Sequence, residues 1–170
     1  MRTILRTAAL ALSLLAGIPA AQAATQTWNI SGTLDSGYFA SESFSGQFSF
    51  DDTGLTNAGF ETLSLTSLSI DIFGTTWTMG NAEAVPDVSF DNGSFLGLFY
   101  SAANADIGFT FTPGMFGIEE SFVAYDTTYG DSGAGSVIYA AVPEPESYAL
   151  MLAGLGLMGF MARRRSRHIA

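Results

Sequence analysis

The fold of this chain is decided by the stretch Ser89-Phe90-Asp91-Asn92-Gly93-Ser94-Phe95-Leu96-Gly97-Leu98. Asn92-Gly93 is a strong signal for a two-residue hairpin turn, because both residues tolerate the positive φ angles that such a turn requires. Leu96, Leu98 and Tyr100 resume an alternating apolar pattern on the far side of the turn. The stretch therefore predicts two antiparallel β-strands joined by a tight turn.

The same alternation of apolar and polar residues recurs on both sides of this hairpin. Phe44, Phe48 and Phe50 alternate with polar residues, and a slip of phase near Thr66-Ser67 predicts a β-bulge or a strand break. Eight or nine short strands at such spacing are typical of an all-β domain. We expect an antiparallel β-sandwich or jelly roll over residues 24–141, with a β-barrel as the alternative.

The N-terminus has the features of a secretory signal peptide over residues 1–23. Arg2 and Arg6 form a short basic region at the start of this segment. The apolar run 8–18 that follows is too short for a membrane span. Ala21 and Ala23 supply the small-x-small pattern at which signal peptidase cleaves. We predict export and cleavage after Ala23, with signal peptidase as the first partner.

The C-terminus, residues 142–170, forms a tail of three consecutive parts. The motif Pro143-Glu144-Pro145 comes first, and its prolines favour an extended, accessible backbone. An apolar segment over 148–162 follows, and a basic end over 163–168 completes the tail. This order of parts predicts a membrane-directed segment that ends at a positively charged stop.

The apolar segment of the tail predicts a single transmembrane helix. Its length would be only about 22 Å at the usual helical rise, against a hydrocarbon core of roughly 30 Å. Tyr148 at one interface and Arg163, Arg164 and Arg165 at the other would lessen the mismatch. The arginines would then remain in the cytoplasm as the membrane stop, with the proline motif outside.

This tail closely resembles the PEP-CTERM sorting signal of Gram-negative bacteria. The matching residues are Pro143, Glu144 and Pro145, the short glycine-containing helix and the arginine cluster. The resemblance implies processing by a membrane-embedded, exosortase-type enzyme. It also implies transient anchoring at the inner membrane, followed by delivery to the cell surface or the exopolysaccharide matrix. The resemblance carries no information about the fold of the preceding domain.

The charge pattern of the predicted domain excludes several classes of function. Residues 24–142 hold fourteen acidic residues and no Lys, Arg, His or Cys, a net charge of about −14. Without imidazole or thiol groups, an ordinary zinc site and a thiol nucleophile are excluded. Without cationic side chains, the domain has no means of attracting phosphates, so we expect no binding to nucleic acid.

Carboxylates and aromatic rings are the remaining candidates for chemistry. Asp51-Asp52 and Glu119-Glu120 suit a turn and a solvated loop better than a catalytic pair, because neighbours on a strand face opposite sides. A calcium site is more plausible, because calcium takes oxygen ligands from carboxylates, amides and carbonyls, although the spacing does not match an EF-hand. Its candidate ligands are Asp87, Asp91, Asn92, Asp126 and Asp131. We predict no catalytic residue and no required cofactor.

Six aromatic residues are candidates for stacking on sugar rings: Trp28, Trp77, Tyr38, Tyr100, Tyr125 and Tyr129. The two tryptophans lie in phase with apolar strand positions, which favours a place in the core. Tyr125 and Tyr129 flank a short Gly-Asp-Ser loop, which favours an exposed platform.

Two classes of function are consistent with these patterns. The favoured one is an exported, noncatalytic protein of the cell surface or extracellular matrix, associated with exopolysaccharide. The alternative is a secreted carbohydrate-binding module or a small glycan-active hydrolase. An exposed row of aromatic rings beside convergent carboxylates would favour the alternative.

Overall fold

The computed structural model of the chain describes residues 25–143 and 145–166, with the side chains of 25–143 and 148–159. That part contains nine β-strands and one α-helix, α1 (Pro145–Ser166). The strands are β1 (Thr25–Leu34), β2 (Ser43–Asp51), β3 (Phe60–Ile72), β4 (Thr75–Thr78), β5 (Asp87–Asp91), β6 (Ser94–Ala103), β7 (Ile107–Thr112), β8 (Phe122–Thr127) and β9 (Ser132–Ala141).

Eight of the strands close into an antiparallel up-and-down barrel. The order is β2-β1-β9-β8-β7-β6-β5-β3, and a further pairing of β2 with β3 completes the ring. β4 lies outside this ring as a short hairpin partner of β3, through Ser69↔Thr78 to Ile72↔Thr75. The expected sandwich or jelly roll is therefore wrong, and the alternative, a barrel, is confirmed.

The length of β3 explains why the sheet closes. Residues 65–71 of β3 pair with β2, while residues 60–64 pair with β5 on the opposite edge. A bulge at Thr66, between the pairs Ser49↔Ser67 and Phe50↔Leu65, bends the strand between these two partners. Bulges increase local twist and bending, so one strand can join both edges of the sheet. The slip of phase near Thr66-Ser67 correctly predicts this bulge.

The turn at Asn92-Gly93 is also confirmed. Both residues have positive φ angles, 48° and 79°, and they connect the paired residues Asp91 and Ser94. Positive φ at both central positions matches the type I′ turn, whose twist suits antiparallel strands. Gly93 adopts this conformation without the steric penalty of a side chain.

The inside of the barrel is packed with apolar side chains. Residues from all eight ring strands contribute, and the largest fully buried ones include Tyr100, Tyr125, Phe48, Phe50 and Phe111. Edge-to-face contacts join several of the rings, for example Phe109 with Phe111 and Trp77 with Phe109. An eight-stranded barrel has an interior just wide enough for side chains to fill. Its stability therefore comes from burial, with no disulfide among these residues.

The alternating strand directions give the barrel two distinct ends. The chain enters at Thr25 and leaves at Ala141 on one end, which we call the proximal end. The connections β2–β3, β5–β6 and β7–β8 also lie at the proximal end. The connections β1–β2, β6–β7 and β8–β9 lie at the opposite, distal end. A residue in a proximal connection is therefore at the same end of the barrel as the start of the tail, and a residue in a distal connection is at the other end.

Helix α1 contains the apolar segment of the tail. In the described part of the chain, no helix is both long and apolar enough to cross a membrane. The expected single transmembrane helix over 148–162 is therefore not found there. The apolar segment 148–162 is short, so any longer stretch of the helix includes Glu146 and Ser147 before it or the arginines at 163–165 after it.

Candidate sorting site

The tail leaves the barrel at a sharply defined residue. Trp28 of β1 pairs with Ala141 of β9, and the backbone N–H of Val142 donates to the carbonyl of Thr27 at 2.8 Å. Pro143, the next residue, has no N–H and is exposed. The first residue of the predicted motif thus follows directly on the last strand of the barrel.

Helix α1 begins at Pro145, the third residue of the motif, and continues through Arg163, Arg164 and Arg165 to Ser166. Proline suits the first position of a helix, because its φ is already helical and its missing N–H would have no partner there. The arginines occupy the last turns, where positive charge complements the helix dipole. In the described part of the tail, Pro143 is exposed, and one continuous helix begins at Pro145.

Several predicted site residues lie outside the described part of the chain. These are Glu144, the signal-cleavage residues Ala21 and Ala23, and the end of the basic segment. Removal of residues 1–23 stays a prediction. So do the exact site of tail cleavage and the role of the arginines as a membrane stop.

The adjacent acidic pairs serve local structure. The Asp51 carboxylate accepts hydrogen bonds from the Thr53 hydroxyl and the Thr53 backbone N–H, and both bonds lower the pKa of Asp51. Asp52 accepts a hydrogen bond from the Gln26 side chain at 3.1 Å. Asp51 thereby caps the short 3-10 helix Asp52–Gly54, and the prediction of a turn here is confirmed.

Glu120 has a similar role in the connection between β7 and β8. Its Oε2 accepts hydrogen bonds from the backbone N–H of Met115 at 3.0 Å and of Phe116 at 2.9 Å. Glu119 and Glu120 belong to the short 3-10 helix Ile118–Glu120. The predicted loop is confirmed, and Glu120 acts inside it as a structural acceptor.

The candidate calcium ligands do not converge. Asp87 and Asp91 stand at the two ends of β5, about 13 Å apart at the usual rise per residue. Asp126 is the last but one residue of β8, near the β8–β9 connection that contains Asp131. In residues 25–143 and 145–166, no group of three or more acidic, His or Cys side chains is placed to hold a metal ion.

The six candidate aromatic residues divide between core and surface. Trp77, Tyr100 and Tyr125 are buried in the core. Half-buried Trp28 stacks on Phe95, with the two ring centroids 4.4 Å apart. The prediction of a core position is confirmed for Trp77, whereas Trp28 packs against the core from its edge. The prediction of Tyr125 as a platform is wrong, because its hydroxyl donates to the Ser36 carbonyl and accepts from the Phe39 N–H, which draws the side chain inward.

Tyr38 and Tyr129 are the exposed members of this set, with 75 % and 83 % of the surface of each residue accessible. Tyr38 lies in the β1–β2 connection and Tyr129 in the β8–β9 connection, so both are at the distal end. Backbone N–H groups of Asp35 and Ser36 donate to the carbonyl of Ala134, which holds the β1–β2 connection beside the start of β9. The structure therefore brings two tyrosines to one end, without a longer row.

A shallow groove of about 540 Å³ lies on the outer wall beside the distal end. Five of its lining residues carry hydroxyl groups, namely Ser31, Thr33, Ser43, Ser45 and Ser136, and Asp71 and Ile138 also line it. Strand alternation places these short polar residues outward, opposite the packed core. Hydroxyl groups both donate and accept hydrogen bonds, as sugar hydroxyls do.

An exposed apolar pair at the proximal end was not predicted from the sequence. Met115 and Phe116, in the β7–β8 connection at the proximal end, expose 75 % and 85 % of their surface. The signal was present in the sequence, because Gly114-Met115-Phe116-Gly117 places two large apolar residues between glycines and outside any alternating strand.

The tail matches the family model of the PEP-CTERM protein-sorting motif over residues 141–165. The matched segment contains the motif Pro143-Glu144-Pro145 and the arginines at 163–165, so the resemblance seen in the sequence is confirmed. This motif indicates an exported protein that is sorted to the cell envelope or surface and processed by an exosortase-type enzyme. The chain has no significant match among curated proteins or among solved structures.

Proposed function

We propose that this chain is a noncatalytic protein of the cell surface or extracellular matrix, associated with exopolysaccharide. The observation that carries the proposal is the direct junction between barrel and sorting motif. Val142 still bonds to Thr27 in the barrel, and Pro143 is already exposed. A processing enzyme can therefore reach the motif without unfolding the barrel.

The packing of the barrel supports a noncatalytic role. The interior is occupied by the apolar core. The carboxylates of Asp51, Glu61 and Glu120 accept hydrogen bonds from neighbouring loop residues, and that of Asp52 accepts one from Gln26 of β1. A pair of catalytic carboxylates in glycoside cleavage must instead flank a substrate at a fixed separation. The barrel is best explained as a stable folded unit that the tail delivers to the surface.

Substitution of the motif tests the proposal in cells. Pro143→Ala, Glu144→Ala and Pro145→Ala together should leave a larger form of the protein that stays with the cell membrane and does not reach the surface. Glu42→Ala, an exposed acid in the distal β1–β2 connection, is the matched control and should be processed normally. Normal size and normal surface delivery of the triple variant would contradict the proposal.

A second candidate function is binding of a neutral polysaccharide at the distal end. It is favoured by the hydroxyl-lined groove together with exposed Tyr38 and Tyr129. Aromatic rings stack on the apolar faces of sugars, and hydroxyls bond their edges. Tyr38→Ala with Tyr129→Ala should abolish retention on the exopolysaccharide of the producing cell, while Val85→Ala, at another exposed apolar position, should not. Equal retention of all variants would exclude this candidate.

A further inference from the structure

Two chain ends and one apolar loop meet at the proximal end of the barrel. The chain enters β1 at Thr25, two residues after the predicted cleavage point Ala23, and leaves β9 at Ala141, directly before the tail. The N-terminal segment has the apolar run 8–18 and the tail has the apolar segment 148–162. While either segment is held at a membrane, the proximal end is the side of the barrel that faces the membrane.

The β7–β8 connection is a built structure at this end, and we call Met115 and Phe116 the apolar tip. The bulge in β6 frees the Leu96 carbonyl from the ladder with β5, between the pairs Ser89↔Gly97 and Phe90↔Phe95. That carbonyl accepts from the Gly114 N–H at 2.9 Å and from the Ser121 hydroxyl at 2.7 Å. Both ends of the connection are thereby attached to the barrel wall.

The connection is also narrow at the point where the tip begins. A side chain at Gly114 would come within 1.9 Å of the Gly117 carbonyl oxygen. The Glu120 carboxylate accepts hydrogen bonds from the backbone N–H groups of both tip residues, Met115 and Phe116. The backbone is therefore fixed by hydrogen bonds and close contacts within the loop and with the wall, while the side chains of Met115 and Phe116 remain in solvent.

Exposure of two adjacent large apolar side chains is costly in water and needs a partner to be explained. The apolar side chains of α1 are exposed in the same way, among them Leu150, Leu152, Leu155 and Leu157. A helix that is apolar on all sides requires apolar surroundings. Since the tip and the start of this helix belong to one end of the barrel, one apolar environment satisfies both.

We propose that the apolar tip, Met115 and Phe116, inserts into the lipid interface beside the tail and orients the barrel with its proximal end toward the membrane. The tip thus presents the Pro143 junction at a fixed height above the lipid before processing. This deepens the proposed function, because it assigns the barrel a part in presenting its own motif. Acidic residues of the same end, including Asp51, Asp52 and Asp91, repel anionic headgroups, so the fitting surface is zwitterionic.

Tryptophan fluorescence tests this orientation. The full chain carrying Phe116→Trp is mixed with phosphatidylcholine vesicles, and co-sedimentation measures association. We expect the added emission to shift to the blue and to be quenched by lipid brominated on its acyl chains. The matched control is Tyr129→Trp, equally exposed but at the distal end, whose emission should remain unquenched. The unsubstituted chain gives the background from Trp28 and Trp77.

A second pair of variants measures the contribution of the tip to binding. Met115→Ser with Phe116→Ser should weaken partition into the same vesicles by roughly tenfold. Tyr38→Ser with Tyr129→Ser removes two exposed aromatic side chains at the distal end and should leave partition unchanged. The proposal is overturned if the full chain does not sediment with vesicles, or if both tryptophans are quenched equally. It is also overturned if Phe116→Trp stays unquenched, since the tip would then contact protein and not lipid. None of these outcomes depends on processing in cells, so the sorting proposal stands or falls separately.

Discussion

The backbone N–H of Val142 donates to the carbonyl of Thr27 at 2.8 Å, one residue before exposed Pro143. This hydrogen bond extends the pairing of β1 and β9 to the first residue of the tail. Val142 is thereby held by the sheet, whereas Pro143 is exposed and accessible to a processing enzyme. The barrel and the sorting motif therefore meet without a long linker.

Removal of this donor should loosen the junction. Val142→Pro deletes the N–H, and we expect the free energy of unfolding to fall by about 1 kcal/mol, the usual contribution of one hydrogen bond. Val142→Ala keeps the donor and is the control. Urea denaturation of both variants is the measurement, and equal midpoints would show that the bond contributes nothing.

The hydroxyl of Tyr125 joins the barrel wall to the β1–β2 connection. It donates to the Ser36 carbonyl and accepts from the Phe39 N–H, both at 3.0 Å. Tyr125→Phe leaves these two groups without their partner, so we expect a loss of roughly 1–3 kcal/mol in the free energy of unfolding. Tyr129→Phe changes an exposed ring and should have no measurable effect. Faster hydrogen exchange at the Phe39 amide in the first variant alone would support the assignment, and unchanged exchange would count against it.

Two tyrosines predict a loss of stability at alkaline pH. Burial raises the pKa of Tyr100 and of Tyr139 to about 12, from the ordinary value of 10.0. The folded state therefore holds these protons more tightly than the unfolded state. The resulting stability is complete below pH 10 and is lost as the pH rises towards 12.

The test is urea denaturation at about pH 9 and about pH 11. We expect the midpoint to fall over this interval, and to fall less in Tyr100→Phe with Tyr139→Phe. The double variant starts from a lower stability, because the Tyr139 hydroxyl accepts a hydrogen bond from the Leu98 N–H. The comparison is therefore between the changes of the urea midpoint with pH in the two proteins. Equal changes in the unsubstituted chain and the double variant would show that burial of these tyrosines does not cause the loss.

The fourteen acidic residues of the barrel should make its stability depend on salt. Residues 24–142 hold no cationic side chain, so the acids repel one another without compensation. Sodium chloride screens this repulsion, and we expect the melting temperature to rise with its concentration. Calcium at matched ionic strength should add nothing, because the candidate ligands do not converge. A melting temperature that is independent of sodium chloride would contradict the expected repulsion among the acids. A further rise that is specific to calcium would contradict the expectation that no calcium site forms.

Local features of the fold could be predicted from the sequence because they depend on neighbouring residues. Asn92-Gly93 fixes a turn through its own φ angles, and the slip of phase at Thr66 marks a bulge. Closure into a barrel could not be predicted in the same way. It depends on the pairing of β2 with β3 and of β1 with β9, and alternation alone says only that one face of each strand is buried.

The candidate site residues could likewise be predicted only where they depend on neighbouring residues in the sequence. The sorting motif is a contiguous pattern, so its residues could be identified directly in the sequence. The inward position of Tyr125 depends on Ser36 and Phe39, far away along the chain, and the sequence pattern predicted the opposite. The proximal place of Met115 and Phe116 likewise depends on the parity of strands between them and the tail.

The central claim is that the chain is exported and delivered as a barrel without its terminal segments. The most direct test is the intact mass of the protein recovered from the cell surface or the surrounding matrix. The account predicts a chain that begins after Ala23 and ends near Pro143-Glu144-Pro145, with the apolar segment and arginines removed. A surface form with the mass of all 170 residues would contradict it.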